Sequence, residues 1–246
     1  MDLHFRGNFA PGRLVRPVGR RGRGPGAGLL FLLAFAGAAR AAELSGSVEL
    51  VAEGKSLNSA DVRYAVVYYK PKSAAAVRPA AEPLEMAMRK KEFVPRVLAI
   101  TRGSTVRFPN TDPILHNVFS VSGENQFDLG LYAQGHGKAW KFANPGVVRV
   151  YCNVHHSMVA YILVLDTPYF ASPETDGKFH LAGVPEGEGT LVVWHERSEP
   201  WSAEVHVPAA APIAARLEVT RPQVPPHLNK FGKPYKQETG LGKDYR

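Results

Sequence analysis

The sequence predicts a mostly β protein built of sandwiches, and three observations carry that expectation. Beyond residue 42, short apolar runs rich in Val, Tyr and Phe alternate with turns of Gly, Pro and Asn. No long stretch shows the apolar spacing of an amphipathic helix. The runs follow one another too closely for parallel strands joined by crossover helices, and suit sheets packed face to face.

Taken in order, strands are expected at 46–51, 62–69, 97–101, 104–108, 116–120, 139–142, 147–152 and 158–165. A later group falls at 178–181, 189–195, 201–207 and 215–219. Between 70 and 92 an Ala-rich, basic stretch carries Pro71, Pro79 and Pro83, and reads as a loop or a short helix around 84–91. From residue 221 onward Pro222, Pro225, Pro226 and Pro234 are interspersed with Lys and Arg, the composition of an extended or disordered tail.

Charge has to be assigned to segments before it says anything about partners. The 246 residues hold 30 Lys and Arg against 22 Asp and Glu, a net charge of +8, and one Cys. Seven of the basic residues precede residue 42, among them Arg6, Arg13, Arg16, Arg20, Arg21 and Arg23. The six named lead into a 14-residue apolar stretch at 26–39, which runs on through Ala39-Arg40-Ala41. That stretch is shorter than the roughly 20 residues that span a bilayer, and the small-x-small triplet suits signal cleavage. A signal peptide over 1–41 is therefore expected, with export to the periplasm and no stable membrane insertion after cleavage. Arg20-Arg21 leaves the export route open. Without the leader the charge is +2, of which the tail from 221 to 246 carries +4, leaving residues 42–220 at −2. A nucleic-acid partner loses its support, and only the tail keeps a claim to an electrostatic partner. One Cys excludes a disulfide framework and a cysteine-rich zinc site.

The chemistry gathers around that Cys. In Val148-Arg149-Val150-Tyr151-Cys152 the period-2 alternation turns Val148, Val150 and Cys152 inward and Arg149 and Tyr151 outward. Cys152-Asn153-Val154-His155-His156-Ser157-Met158 then places a thiolate, imidazoles and a thioether within seven residues, soft donors that favour copper over calcium or magnesium. His116, where a strand begins after a Pro- and Asn-rich loop, supplies a second imidazole. A lone buried Cys is ordinarily an inert small hydrophobe, but a free thiol in an oxidising compartment is a liability unless a metal protects it. His156 is the competing ligand; adjacent residues on an extended loop point apart, so it is expected to face solvent if His155 coordinates.

Between 92 and 166 the chain resembles the cupredoxins, and among them the amicyanin-like and plastocyanin-like blue copper proteins. Phe93-Val94-Pro95, the turn Arg102-Gly103-Ser104-Thr105-Val106-Arg107-Phe108, His116-Asn117-Val118 and the C-x2-H-x2-M loop carry the resemblance. It implies a Greek-key β-sandwich and one type 1 mononuclear copper held by His116, Cys152, His155 and Met158. The backbone N–H of Asn117 is implied to hydrogen-bond the Cys sulfur. It also implies one-electron transfer rather than catalysis, with a dehydrogenase or c-type cytochrome as redox partner. In that family the second His is the edge through which electrons pass, so His155, with Pro113, Ile114, Leu115, Val154 and Val159 around it, is the expected exit.

Enzymatic relatives need two Cys for a binuclear CuA centre, or His-x-His pairs and a His-flanked Cys for a trinuclear cluster. Here Tyr151 and Asn153 flank the only Cys. His136 is expected in an exposed turn, and His180, His195 and His206 in structural or surface roles. After the copper segment, Asp176-Gly177-Lys178-Phe179-His180-Leu181 and Thr190-Leu191-Val192-Val193-Trp194-His195 resemble the second half of a carboxypeptidase-regulatory-like (prealbumin-like) sandwich. The early strands either open that sandwich, which the copper segment then interrupts, or extend the copper sheet. The expected organisation is a signal peptide at 1–41, opening strands at 42–75, a copper domain at 86–166, a second sandwich segment at 167–220 and a basic tail at 221–246. The expected function is electron transfer. A copper-delivery protein is the alternative, and a binding module with a vestigial metal site the third reading.

Overall fold

The computed structural model describes residues 41–57, 59–73 and 75–235, so the expected signal segment, Ala41 excepted, and the tail beyond Tyr235 lie outside the described residues. β1 (Ala41–Ala52), the two-residue β2 (Lys55–Ser56) and a 3-10 turn (Ser59–Tyr64) lead to β3 (Val66–Pro71). A middle block follows: β4 (Leu84–Glu85), β5 (Ala87–Arg89), β6 (Glu92–Val94), β7 (Val97–Thr101), β8 (Thr105–Asn110), β9 (His116–Ser122), β10 (Asn125–Tyr132), β11 (Gly135–Lys141), β12 (Gly146–Tyr151) and β13 (Val159–Leu165). The closing strands are β14 (Phe170–Ala171), β15 (Lys178–Pro185), β16 (Gly187–Trp194), β17 (Trp201–Val207) and β18 (Ile213–Glu218). The described residues contain no α-helix, and the mostly β class read from the sequence holds.

The middle block makes two sheets. One runs β10-β9-β12-β13-β7; the other runs β11-β8-β5-β6, with β4 alongside β8. Phe108, Phe142, Val118, Val148, Val150, Ile162 and Cys152 belong to the core cluster between them. The remaining strands make a second pair of sheets. β1 lies between β15 and β18 in one, and in the other β3 lies between β14 and β16 with β17 beyond. Leu44, Tyr69, Phe179, Leu191 and Val193 belong to their shared core. β1 and β3 therefore belong with the late strands, and β3 and β14, which flank the middle block, are neighbours, with Tyr68 opposite Phe170.

Strand β13 joins the two sandwiches. All seven of its residues are buried, as a continuous apolar run with no solvent face requires. Ala160, Ile162 and Val164 face the middle core. Val159, Tyr161, Leu163 and Leu165 pack with Phe119, Tyr151, Val66 and Trp194 in a third cluster between the sandwiches. Tyr151 is thus turned away from the middle core as the alternation predicts, yet it is buried, stacked on the His227 ring at 4.2 Å and packed against Phe119.

Some expectations need correction. Residues 84–91 form neither loop nor helix: Met86 and Met88, both fully buried, alternate inward, and β5 and β6 pair across a turn at Lys90 and Lys91. Both turn residues have positive φ, 54° and 59°, as a two-residue hairpin matched to strand twist demands. Strand β10 was not expected, because Asn125, Asp128 and Gly130 disguise the alternation of Phe127 and Leu129. His136 is exposed but lies within β11 rather than a turn. Over 221–235 the tail follows an irregular path without helix or strand, and two of its basic residues are paired within the chain, Arg221 with Glu199 and Lys230 with Asp128.

Polar ties complete the junction. Arg96 Nε donates to Glu196 Oε1 at 2.6 Å, with the two side chains 17% and 2% exposed, and an Arg96 NH2 group donates to the Gln223 carbonyl at 2.6 Å. The other Glu196 oxygen has no hydrogen-bond partner, so Arg96 is its main compensation. Arg96→Ala strands a buried carboxylate and is expected to cost about 3–5 kcal/mol, measurable as a lower urea midpoint. His195 is fully buried. Burial, reinforced by the charges of Arg197 and Arg96 and opposed by Asp61, pushes its pKa down to about 4. The unfolded chain therefore takes up a proton near pH 6.5 that the folded chain refuses. This contribution is intact above pH 6.5 and falls by roughly 3 kcal/mol as pH drops to about 4. Urea titrations across that range should be shallower for His195→Gln.

Candidate metal centre

The thiol and the two imidazoles reach one point from two places in the fold. β12 ends at Tyr151, so the alternation that buries Val148 and Val150 also buries Cys152 in the middle core. The chain then turns within the loop Cys152–Met158, where Met158 N–H donates to the His155 carbonyl at 3.1 Å and Cys152 N–H to the Met158 carbonyl at 3.2 Å. These bonds fold His155 back toward the sulfur. His116 opens β9, two strands from β13 in the same sheet. His116 Nδ1 lies 3.9 Å and His155 Nδ1 3.7 Å from Cys152 Sγ. The three donor atoms fall within 4.8 Å of one another.

A first-row ion with bonds of about 2.0 Å to nitrogen and about 2.3 Å to sulfur separates such donors by about 3.5–3.7 Å. The cluster fits an ion with little rearrangement. Met158 is buried in the same core cluster as Cys152, so the thioether belongs to this surrounding too. One thiolate, two imidazoles and a thioether form a soft donor set that suits copper.

Carboxylates and amides reached by the fold orient the donors. His116 Nε2 lies 2.9 Å from Asp112 Oδ2. A carboxylate only accepts, so Nε2 carries the proton and Nδ1 presents its lone pair toward the sulfur. Asp112 in turn accepts from the backbone N–H of Lys90 and Lys91 at 2.6 and 2.8 Å, the two positive-φ residues of the β5–β6 turn. Burial works against the Asp112 charge, but the Lys91 and Lys90 donors and His116 outweigh it and hold the carboxyl below its ordinary range. Asn110 shapes the approach: its amide donates to the Ile114 carbonyl at 2.8 Å and its Oδ1 accepts from Asp112 N–H at 3.0 Å. Asn117 meets the ligand loop through its side chain, Oδ1 accepting from Asn153 N–H at 3.3 Å and Nδ2 donating to Asp128 at 2.7 Å.

The sequence candidates thus separate. His116, Cys152 and His155 converge, Met158 shares their core and Asn117 braces the loop. His156 points away, exposed and stacked on His227 at 4.5 Å. His136, His180 and His206 are exposed elsewhere, and His195 is buried in the second sandwich. Around the expected exit, Pro113 is exposed and Ile114, Leu115 and Val154 are half-buried. Val159 does not belong to that rim, because it packs between the sandwiches. Sequence reasoning missed Asp112. Its role depends on a turn more than twenty residues upstream, and only its i, i+4 spacing from His116 hints at the pair.

No protein-family model matches the chain, and no curated protein does. Among solved structures it is similar to amicyanin from Paracoccus versutus, with 21% identity over 39% of this chain and 100% of that one and a TM-score of 0.32. A novel purple cupredoxin from Nitrosopumilus maritimus shows 22% identity over 33% of this chain and 99% of that one, at 0.31. The Cu-containing nitrite reductase from Thermus scotoductus SA-01 shows 25% identity over 39% of this chain, at 0.33, and the match spans only 25% of its own length.

Asp112→Asn keeps the shape but weakens the acceptor and removes the negative charge that holds the His116 Nε2–H and orients the ring. Copper affinity is expected to fall about ten- to a hundred-fold, read by competition against a chromogenic chelator.

Proposed function

We propose that this chain is an exported type 1 copper protein that carries single electrons between redox partners and catalyses no reaction. One observation carries the reading: a buried thiol faces the Nδ1 atoms of two imidazoles at 3.7 and 3.9 Å, in the core of a β-sandwich. Cys152, His116 and His155 would hold the ion, with the Met158 thioether as a weaker donor. Bound there, copper supplies a Cu(II)/Cu(I) couple, which moves one electron without a proton or a group.

The protein's part is to keep the donors still and dry. Cys152 and His116 are fully buried and His155 is 8% exposed, so exchange with water ligands is disfavoured. Asp112 fixes the His116 ring and the loop's own backbone bonds fix His155, so the donor positions change little when the charge of the ion changes. Four protein donors would leave no position for a substrate, which favours transfer over catalysis. The leader expected at 1–41 supports a periplasmic setting, where a dehydrogenase or a c-type cytochrome is the kind of partner a one-electron carrier serves.

Copper-loaded protein is expected to show the intense visible colour of thiolate-to-copper charge transfer, to lose it reversibly on one-electron reduction, and to lack it in Cys152→Ala. A colourless Cu(II)-loaded chain, or colour that survives Cys152→Ala, overturns the assignment. Fast surrender of Cu(I) to an acceptor protein, without reversible reduction, indicates delivery instead.

A further inference from the structure

The segment that follows β18 returns across the ligand loop and attaches to it at consecutive points. Tyr235 Oη donates to the Cys152 carbonyl at 3.0 Å. The Lys230 N–H donates to Asn153 Oδ1 at 3.0 Å. The Lys230 ammonium sits 2.7 Å from Asp128 Oδ2, and the other oxygen of that carboxylate holds the Asn117 amide. The His227 ring lies between Tyr151, at 4.2 Å and 15°, and His156, at 4.5 Å and 5°. Tyr235 meets His156 and His227 edge-on, at 4.9 and 5.2 Å. The segment thus touches the residue before the thiol, the thiol's own residue, the one after it and the residue after His155.

Its own shape is built for the purpose. Asn229 Oδ1 accepts from the N–H groups of Phe231 and Lys233 at 3.0 and 3.1 Å, and His227 Nδ1 lies 2.8 Å from the Pro225 carbonyl. The base is anchored where Arg96 holds the Gln223 carbonyl and Arg197 that of Arg221. The Cys152–Met158 loop carries two of the three donors, and opening it breaks these attachments together.

We propose that residues 222–235 form a clamp that restrains the ligand loop and thereby slows metal exchange. The restraint stands on the contacts alone; its effect on copper rests on the function proposed above. Hydrogen exchange read by mass spectrometry tests the restraint on metal-free protein. The full chain is compared with chains ending at Arg221 and at Tyr235, and with Tyr235→Phe and His227→Ala. Peptides covering 152–158 are expected to exchange at least about ten-fold faster in the chain ending at Arg221 and by a smaller factor in the point variants. The chain ending at Tyr235 keeps every contact named above and should exchange more slowly in this loop than the chain ending at Arg221, while peptides of β8 and β15 should be unchanged in all. Transfer of Cu(I) to a chelator should accelerate in the same order.

Equal loop exchange in every chain overturns the clamp, as does faster exchange without faster copper transfer. If the shortest chain loses protection throughout, the point variants decide, since they leave the segment in place. A full-length chain that takes up no copper overturns the copper reading, and the restraint is then decided by the hydrogen exchange alone.

Discussion

Burial of β13 on both faces is the constraint on which the other features depend. A strand with no solvent side must satisfy two cores at once, and the side-chain period of two assigns each residue to one of them. Ala160, Ile162 and Val164 go to the middle core, and Tyr161, Leu163 and Leu165 to the junction with the second sandwich. A slip of one residue would exchange the two sets. Because Tyr151 pairs with Val159 across the ends of β12 and β13, the same register fixes both ends of the ligand loop, and with them the distance between Cys152 and His155.

A dry donor cluster also needs polar support, and the structure supplies it from backbone turns. The β5–β6 turn exists because Lys90 and Lys91 accept positive φ, and the N–H groups it exposes hold Asp112, which holds His116. On the other side Asp128 gathers Asn117, the Gly130 N–H and Lys230. Burial disfavours its charge, yet Lys230, Gly130 and Asn117 together keep the carboxyl below its usual range. His116 is thus oriented by a carboxylate that backbone N–H groups hold in place, and the Cys152 loop is braced through Asn117 by a carboxylate that Lys230 and the Gly130 N–H hold.

The basic tail illustrates how charge counted along a chain differs from charge presented in space. Composition suggested an extended segment able to attract an acidic partner. In the fold Lys230 and Arg221 are paired internally, and His227 and Tyr235 lie against the ligand loop. Proline content was a sound sign that no helix or strand would form there. Order came from aromatic rings meeting aromatic rings across more than seventy residues, and no local pattern encodes that.

The sequence by itself determined the mostly β class and most of the strands, because a period of two is written in consecutive residues. It also showed the local half of the candidate site, since thiol, imidazole and thioether lie within seven residues of one another. The second imidazole, His116, was legible only as a histidine opening a strand, and the resemblance then implied that it joins the loop's donors. Only the tertiary structure decided which sheets the early strands join, that the His227 ring stacks on Tyr151, that Asp112 orients His116, and that the tail rests on the Cys152 loop. These depend on pairings between residues twenty to more than a hundred positions apart. Such contacts form only once loop closure has been offset by burial, and burial is a property of the packed layers rather than of any one segment.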